Sequence, residues 1–346
     1  MRPVPETALG AASPAAGAAP RSVSLIVPVH NGEAQLAACL ECLRRLDPPP
    51  QECILVDDGS CDASAHLARA AGFRVLSTGA RRGPAFARNL GARQARGDLL
   101  VFVDADVLVP PDLVARVLET FRREPGLDAL IGSYDDDPAQ PGFFSQFRNL
   151  MHCYVHQTGR EEASTFWSGC GAIRRELFLQ HGGFCTAYAR PSIEDIELGL
   201  RLRRAGARIR LRKDLRVKHL KRWTFREMLR TDVFDRALPW TLLILRRRSM
   251  PADLNLRWRY RLSVLAWLGA AAAPALPAPA AGPLAGACAA VGIVSNAGFY
   301  RFLAARRGWW FALRCVPVHA LFFLYSGLAF AGGLILYALR RGQPEP

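Results

Sequence analysis

Acidic side chains stand directly after two apolar runs of this 346-residue chain. Asp104 and Asp106 follow the run LLVFV at residues 99–103, and Asp58 follows the run at residues 53–56. A carboxylate pair at the end of a buried strand is costly unless a positive charge compensates it. Mg²⁺ or Mn²⁺ would do so, because these hard cations take oxygen ligands and commonly keep substrate phosphates in their shell. The Asp-Ala-Asp triplet is therefore a candidate metal site facing a diphosphate, although such triplets also occur in ordinary loops.

Three further positions carry side chains that could act on a substrate. Asp58 is either part of an Asp-rich turn or an acceptor of hydrogen bonds from a base or ribose. Glu194 and Asp195 open an amphipathic helix, where the helix dipole favours acidic residues, but one of them could instead remove a proton from an acceptor hydroxyl. His219 is either an ordinary surface histidine or a side chain that reaches a metal or a diphosphate.

The elements around these residues alternate between strand and helix. Apolar β-rich runs are separated by segments with a helical period, and the polar side chains fall at the carboxyl ends of the runs. This alternation predicts an α/β fold, a mostly parallel sheet with helices on both faces, in which ligands bind at those strand ends. The predicted strands are Ser22–Val29, Cys53–Val56, Phe73–Ser77 and Leu99–Val103, and the predicted helices are Glu33–Leu46, Ala63–Ala71 and Pro84–Ala95.

Seven blocks between Ser22 and Trp223 resemble, in content and order, the inverting glycosyltransferase family 2, whose Rossmann-like nucleotide-binding fold is called GT-A. The resemblance implies a nucleotide-sugar donor and Mn²⁺ or Mg²⁺ as cofactor. Any one block would be a weak match, whereas the full series is specific. The blocks are IVPVHN, VDDGS, RRGPAFARNLGA, FVDAD, SGCGAIRRELF with GGF, IEDIELGLRLRRAG and HLKRW.

The resemblance also implies a role for each matching residue. Asp195 corresponds to the catalytic base, with Glu194 as second choice. Asp106 corresponds to the direct metal ligand, and His219 to a residue that helps to hold the metal and the diphosphate. The nucleotide-sugar would be bound by the remaining matches, which are Pro28, His30, Glu33, Asp58, Arg88 and Asp104.

One departure from the family pattern concerns the acceptor. Processive members carry Q-x-x-R-W, whereas this chain has His219-Leu220-Lys221-Arg222-Trp223. Without the Gln, and with few membrane spans, addition of a single sugar fits better than polymerisation. Arg222 and Trp223, together with Gly169, whose lack of a side chain indicates a close backbone approach or a tight turn, are expected to frame the acceptor pocket.

Charge and apolar residues are unevenly distributed along the chain. The formal net charge is +15, and Arg runs flank strongly apolar stretches. Basic residues beside apolar spans mark the cytoplasmic side and attract anionic lipids. A nucleic-acid partner is not expected, because an aromatic-interleaved basic surface is absent. The prediction is a disordered tail at 1–21, the GT-A domain at 22–235, a basic juxtamembrane segment at 236–261, about three transmembrane helices within 262–339, and a tail at 340–346.

Two other features have ordinary interpretations. The nine cysteines do not form a disulfide framework, and the Cys39-x-x-Cys42 pair lies in an amphipathic helical pattern, which favours buried thiols over zinc or redox chemistry. The apolar segment at 262–339 could alternatively be a buried helical subdomain, since its first two stretches are shorter than the ~20 residues of a full span.

These observations predict a membrane-bound enzyme of the cytoplasmic membrane, with its catalytic domain facing the cytosol. It would move one sugar, from a UDP-linked donor, to a hydroxyl of a lipid-linked or membrane-associated acceptor in cell-envelope glycan or glycolipid synthesis. Membrane lipids would be its other partners. The alternative is a non-catalytic membrane scaffold or sugar-lipid carrier that keeps the fold, against which the intact set of carboxylates argues.

Overall fold

The computed structural model describes residues 20–248 and 257–339. The expected tail at 340–346 and all but the last two residues of the expected disordered tail at 1–21 lie outside this part of the chain. Arg21 is described, and its backbone N–H donates to the Asp98 carboxylate at 2.8 Å. The described part of the chain divides into two compact units, the first formed by residues 20–133 and 161–220 and the second by residues 134–160, 221–248 and 257–339.

The first unit confirms the predicted α/β class. The strand at Leu99–Val103 is buried at every position, as a strand covered on both faces should be. The strands are β1 Val23–Val29, β2 Glu52–Asp57, β3 Arg74–Ser77, β4 Leu99–Val103, β5 Val107–Leu108, β6 Ala129–Tyr134, β7 Cys170–Arg174 and β8 Ile209–His219. The helices are α1 Glu33–Arg44, α2 Ser64–Ala70, α3 Pro84–Gln94, α4 Leu113–Arg123, α6 Arg175–Gln180 and α7 Glu194–Arg204.

The sheet is mixed, with the strand order β3-β2-β1-β4-β7-β6-β8-β5. The first four strands along the chain are parallel, as predicted. β7 then runs antiparallel to both β4 and β6, and β5 runs antiparallel to β8. Register places Val29 beside Asp57, so that the carboxyl ends of β1 and β2 are level. Polar residues that follow these parallel strands therefore meet at one edge of the sheet.

The second unit is helical. Its helices are α5 Phe143–Thr158, α8 Phe225–Arg230, α9 Leu238–Arg247, α10 Trp258–Ala272, α11 Ala278–Ser295 and α12 Ala297–Leu339, and a π-helical segment, Thr231–Ala237, joins α8 to α9. α12 is interrupted at Gly308, whose φ of +82° breaks the helical path. α5, which precedes the last blocks of the predicted GT-A domain in the sequence, thus packs with the C-terminal helices.

Two helices of the second unit are long and apolar enough to cross a membrane. They are α11 and α12, and only 6% of the apolar window in α11 is buried inside the protein. α10 has 15 residues. At 1.5 Å per residue it is about 22 Å long, which is less than the ~30 Å hydrocarbon core of a bilayer. The count of about three spans stays a prediction.

Candidate active site

The Asp-Ala-Asp turn directly follows β4. Its first residue, Asp104, donates its backbone N–H to the carbonyl of Gly169 at 3.3 Å. The side chains of Asp104 and Asp106 are about one-third exposed, at 32% and 31%. Beneath the turn, the buried thiol of Cys39 lies 3.8 Å from the Asp104 carbonyl. Two carboxylates are therefore presented to solvent on a turn that is anchored from below and from one side.

Asp106 and His219 come together although they lie far apart in the sequence. β5 pairs with the end of β8 so that Val107 is opposite His219. The Leu220 N–H donates to the Asp106 carbonyl at 2.8 Å, which closes the same ladder. His219 Nε2 consequently lies 3.4 Å from Asp106 Oδ2. The two predicted metal ligands thus share one location, with His219 buried and Asp106 facing solvent.

The chemistry of this pair fits a divalent cation. Two adjacent ligands of an octahedral ion, each about 2.1 Å from it, lie about 3 Å apart, close to the observed separation. Among the described residues no group of three His, Cys, Asp or Glu side chains could hold an ion. Mg²⁺ commonly binds through one or two carboxylates and completes its shell with water and substrate phosphates. Asp106 and His219 would therefore hold the ion only loosely until a diphosphate arrives.

Arg88 connects the turn to α7. Its Nη2 donates to Asp104 Oδ1 at 2.7 Å and its Nη1 to Glu194 Oε1 at 3.1 Å. Burial alone would lower the pKa of the Arg88 guanidinium, but the charges of Asp104 and Glu194 outweigh it and raise this pKa. The family resemblance implies that Arg88 binds the nucleotide-sugar donor. The structure shows that its charge is shared by two carboxylates, so that it positions the turn and α7 relative to each other.

The two acidic residues that begin α7 differ in their surroundings. Glu194 is buried, and its second oxygen accepts the backbone N–H of Ser192 at 2.8 Å. Asp195 is partly exposed and accepts the N–H of Ile196 at 2.7 Å. Its charge contributes to raising the pKa of Arg88, which places it near the same guanidinium. Glu194 is thus occupied in holding the loop before α7, whereas Asp195 is accessible.

Asp58 is buried and holds the segment 78–83. Its Oδ1 accepts hydrogen bonds from Thr78 Oγ1 and the Arg82 N–H at 3.0 and 2.9 Å, and its Oδ2 accepts the Gly83 N–H at 2.8 Å. A carboxylate offers about four acceptor positions, so one remains for a ligand. Gly83 has a φ of +91°, and a Cβ there would lie 2.4 Å from the carbonyl oxygen of Ala189. Asp58 therefore holds the segment 78–83 in place.

Pro28, His30 and Glu33 lie beside Asp58. Pro28 is in β1, and His30 Nδ1 is 2.9 Å from the Asp58 carbonyl oxygen. Glu33 begins α1 and its carboxylate accepts the N–H of Ala63 at 3.1 Å, which ties the loop after β1 to the loop after β2. The structure brings these four predicted nucleotide-binding residues together at the carboxyl ends of β1 and β2.

The three residues expected in the acceptor pocket belong to different units. Gly169, in the first unit, lies beside the Asp104 backbone, and a Cβ there would meet the Trp167 ring at 2.7 Å. Arg222 and Trp223 belong to the second unit. Arg222 is exposed, and Trp223 is buried with its N–H donating to Ser145 Oγ at 2.8 Å.

Sequence reasoning missed the role of Asn89. This buried side chain donates to the Phe184 carbonyl at 2.8 Å and accepts the Phe184 N–H at 2.9 Å. It holds the loop that leads to α7, next to Arg88. The available signal was that Asn89 belongs to the A-R-N block and Phe184 to the G-G-F block. Cys39, expected to be a buried thiol, is buried beneath Asp104, and burial is the main cause that raises its pKa.

Comparison with known proteins agrees with this arrangement. The family described as Glycosyl transferase family 2 matches residues 24–182. An uncharacterized glycosyltransferase of Haemophilus influenzae is 29% identical over 192 residues, covering 52% of this chain and 61% of that protein. The undecaprenyl-phosphate 4-deoxy-4-formamido-L-arabinose transferase of Pseudomonas aeruginosa is 40% identical over 125 residues, covering 32% and 34%. The matches thus span about a third to three-fifths of these relatives.

A solved structure shows the same fold. S. aureus TarS 1-349 in complex with UDP-GlcNAc aligns with a TM-score of 0.51 at 16% identity, over 94% of this chain and 93% of that one. The family resemblance and the predicted fold are confirmed: residues 24–182 form a domain that matches glycosyl transferase family 2, and the fold is of the GT-A type.

Proposed function

We propose that this protein transfers one sugar, with inversion, from a UDP-linked donor to a hydroxyl of a membrane-associated acceptor. The observation that carries the proposal is the meeting of Asp106 with His219 and of Arg88 with Asp104 and Glu194 at one edge of the sheet. This edge is where open α/β sheets bind ligands. UDP as carrier is supported by the TarS complex, and a lipid acceptor by the name of the Pseudomonas relative.

The residues divide the work of a single displacement at the anomeric carbon. Asp106 and His219 would hold Mn²⁺ or Mg²⁺, which would supply positive charge opposite the leaving nucleoside diphosphate. Asp195 takes the proton of the acceptor hydroxyl as that oxygen attacks from the face opposite the diphosphate. An ordinary Asp is ionised at neutral pH and is ready for this step. Glu194 is the weaker candidate for the base, because both its oxygens already hold protein groups.

The decisive experiment is a panel of nucleotide-sugars offered to the purified full-length protein with Mn²⁺ and membrane lipid extracts. Asp195→Asn should lower kcat about 100- to 10,000-fold, the usual contribution of general acid–base catalysis, with little change in donor binding. Asp106→Ala should abolish transfer and weaken the binding of Mn²⁺, while the protein stays folded. Full activity in either variant would refute the role given to that residue.

A matched control is Glu176→Gln, which neutralises an exposed carboxylate of α6 in the same unit. It should keep the wild-type rate. Absence of transfer from every donor by wild-type protein that still binds a UDP-sugar would favour the scaffold or carrier alternative. Equal use of soluble and lipid-linked acceptors would contradict the membrane-held acceptor.

A further inference from the structure

The segment 185–193 leads into α7 and contains neither helix nor strand. Both of its ends are fixed by residues of α3. Before the segment, Asn89 donates to the Phe184 carbonyl at 2.8 Å and accepts the Phe184 N–H at 2.9 Å. After it, Arg88 donates to Glu194 at 3.1 Å. A loop that is fixed only at its ends can still vary in its middle, so the contact made by the middle decides how the segment runs.

The middle of the segment lies against Gly83, which directly precedes α3. A Cβ on Gly83 would be 2.4 Å from the carbonyl oxygen of Ala189 and 2.8 Å from its carbonyl carbon, closer than real contacts. The φ of Gly83 is +91°, a conformation that glycine adopts far more readily than other residues. Because main chain faces main chain here, neither partner can turn aside as a side chain would. Glycine at position 83 is therefore what permits Ala189 to lie this close.

Gly83 is fixed on its other side by Asp58. The buried carboxylate of Asp58 accepts the Gly83 N–H at 2.8 Å, and hydrogen bonds to an ionised acceptor are roughly twice as strong as neutral ones. The next residue, Gly59, has a φ of +70°, and a Cβ on it would lie 2.6 Å from a backbone nitrogen of the segment 78–83. The segment 78–83 thus lies between the turn that carries Asp58 and the segment 185–193, with backbone in direct contact on both sides.

From these contacts we infer that Gly83 is a positioning residue that couples the nucleotide side of the site to α7. Asp58 sets the position of Gly83, and Gly83 sets that of Ala189. The segment 185–193 in turn places the start of α7, which carries Asp195. The role of Asp195 as the base rests on the proposed function, whereas the coupling between Asp58 and the segment does not.

The coupling predicts an effect at a distance that ordinary packing does not. The Asp58 side chain hydrogen-bonds to the segment 78–83, yet a change in this side chain should alter the segment 185–193. A carboxylate offers about four acceptor positions, so one position of Asp58 remains for a ligand. A nucleotide that occupies it would act on the same carboxylate that holds Gly83.

The test follows hydrogen exchange in the full-length, ligand-free protein by mass spectrometry. Asp58→Asn keeps the shape of the side chain but turns one acceptor oxygen into an NH₂ donor, which cannot receive the backbone N–H in front of it. Exchange in peptides that cover residues 185–193 should become about threefold faster or more, because local opening of the segment becomes easier. Peptides from β7 should exchange as in wild type.

Gly83→Ala supplies the second half of a double-mutant cycle. The added Cβ displaces Ala189, so exchange in residues 185–193 should rise about threefold or more in this variant as well. Because the contact is then already lost, Asp58→Asn should add no further increase in the Gly83→Ala background. An equal increase caused by Asp58→Asn in both backgrounds would overturn the coupling.

The matched control is Gly72→Ala. Gly72 has a φ of +82° and open space where a Cβ would be, so alanine there carries the same backbone strain without the contact. Exchange in residues 185–193 and the rate of transfer should both stay at their wild-type values. A thermal unfolding curve confirms that each variant folds. If Gly83→Ala does not fold, unchanged exchange of the segment in Asp58→Asn is sufficient to overturn the inference.

Kinetic measurements connect the segment to the reaction. Gly83→Ala should lower kcat about tenfold or more and change the dissociation constant of the donor less, since a displacement of about 1 Å can cost on the order of 100-fold in rate. Altered exchange in a protein that transfers no sugar would keep the coupling and reject the activity. Wild-type exchange in both variants of an active enzyme would reject the coupling alone. Altered exchange with an unchanged kcat would show that the segment does not position the base.

Discussion

At the scale of single residues, Arg88 connects two parts of the site through its guanidinium group. It is buried, and its fork of nitrogens reaches one carboxylate 16 residues and another 106 residues further along the chain. Removing one partner of a buried ion pair leaves an uncompensated charge, which typically costs about 3–5 kcal/mol. The guanidinium therefore stabilises the fold and fixes the spacing of Asp104 and Glu194 at once.

Replacing Arg88 by Lys tests this double role. A single ammonium cannot reproduce two divergent hydrogen bonds, so Arg88→Lys should lower both the free energy of unfolding and kcat, with a smaller effect on KM. We expect a loss of about 1–3 kcal/mol, measured by chemical denaturation, because the positive charge is kept.

Arg93→Lys on the same helix is the matched control, since Arg93 is exposed, and it should leave stability and rate unchanged. Wild-type kcat together with wild-type stability in Arg88→Lys would contradict the positioning role.

At the scale of elements, Gly199 allows α7 to pack directly against the backbone at Thr165 and Phe166. A Cβ on Gly199 would lie 2.2 Å from the backbone nitrogen of Phe166, too close for any real contact. Backbone cannot move aside as a flexible side chain can. Direct contact between backbones therefore sets the distance of α7 from the segment at Thr165 and Phe166. The same contact sets the position of Asp195, which lies one turn earlier in α7.

Gly199→Ala should consequently push α7 outward and weaken catalysis more than donor binding. Overpacking of this kind costs about 1–3 kcal/mol, even though Ala is the better helix former by about 1 kcal/mol. Thermal unfolding and steady-state kinetics measure the two effects.

The comparison is Gly286→Ala in α11, where a Cβ meets nothing within 4 Å. That variant should be as stable as wild type or slightly more stable. An active and undamaged Gly199→Ala protein would show that the close approach is not needed.

The sequence could predict the parallel half of the sheet because its strands are apolar runs closed by turn residues. β8 is not among the strands predicted from the sequence, because its arginines mask the apolar pattern. In the structure Ile209, Leu211, Leu215 and Val217 alternate with charged side chains, as in a strand with one solvated face. Residue types indicated the candidate ligands Asp106 and His219, but only the antiparallel pairing of β5 with β8 brings them together.

Long-range packing explains what else the sequence could not provide. The ion pair of Arg148 with Asp232, which joins α5 to the π-helical segment, has no local signal. Likewise, Arg88 reads from the sequence as a donor-binding cation, because burial and shared partners depend on the folded chain. The order of sequence blocks thus indicated the candidate site residues, whereas the hydrogen bonds and ion pairs of each residue became known only from the folded structure.

At the scale of the whole molecule, net positive charge and exposed apolar helices point to the same environment. The charge of +15 would draw the protein to anionic lipid, but salt screens such attraction, with a Debye length of about 3 Å at 1 M. Burial of α11 and α12 in hydrocarbon does not depend on salt in this way. The two contributions can therefore be separated.

The full-length protein should stay with the membrane fraction after a wash in about 1 M salt and leave it only with detergent. Sedimentation followed by immunoblotting measures this. Complete release by the salt wash would mean that attraction between charges alone holds the protein, and it would contradict membrane crossing by either helix.

The break at Gly308 separates two arginines from two tryptophans along α12, and this order bears on how deeply the helix would lie in a membrane. Arg306 and Arg307 precede it and bond to Asp136 and Gln146 of the same unit, whereas Trp309 and Trp310 follow it, 63% and 73% exposed. Tryptophan concentrates at the boundary between headgroups and hydrocarbon. If α12 crosses a bilayer, the residues around Gly308 thus fix the position of the helix at one membrane surface. The helix would then adjust to a change in bilayer thickness near Leu339, at its other end.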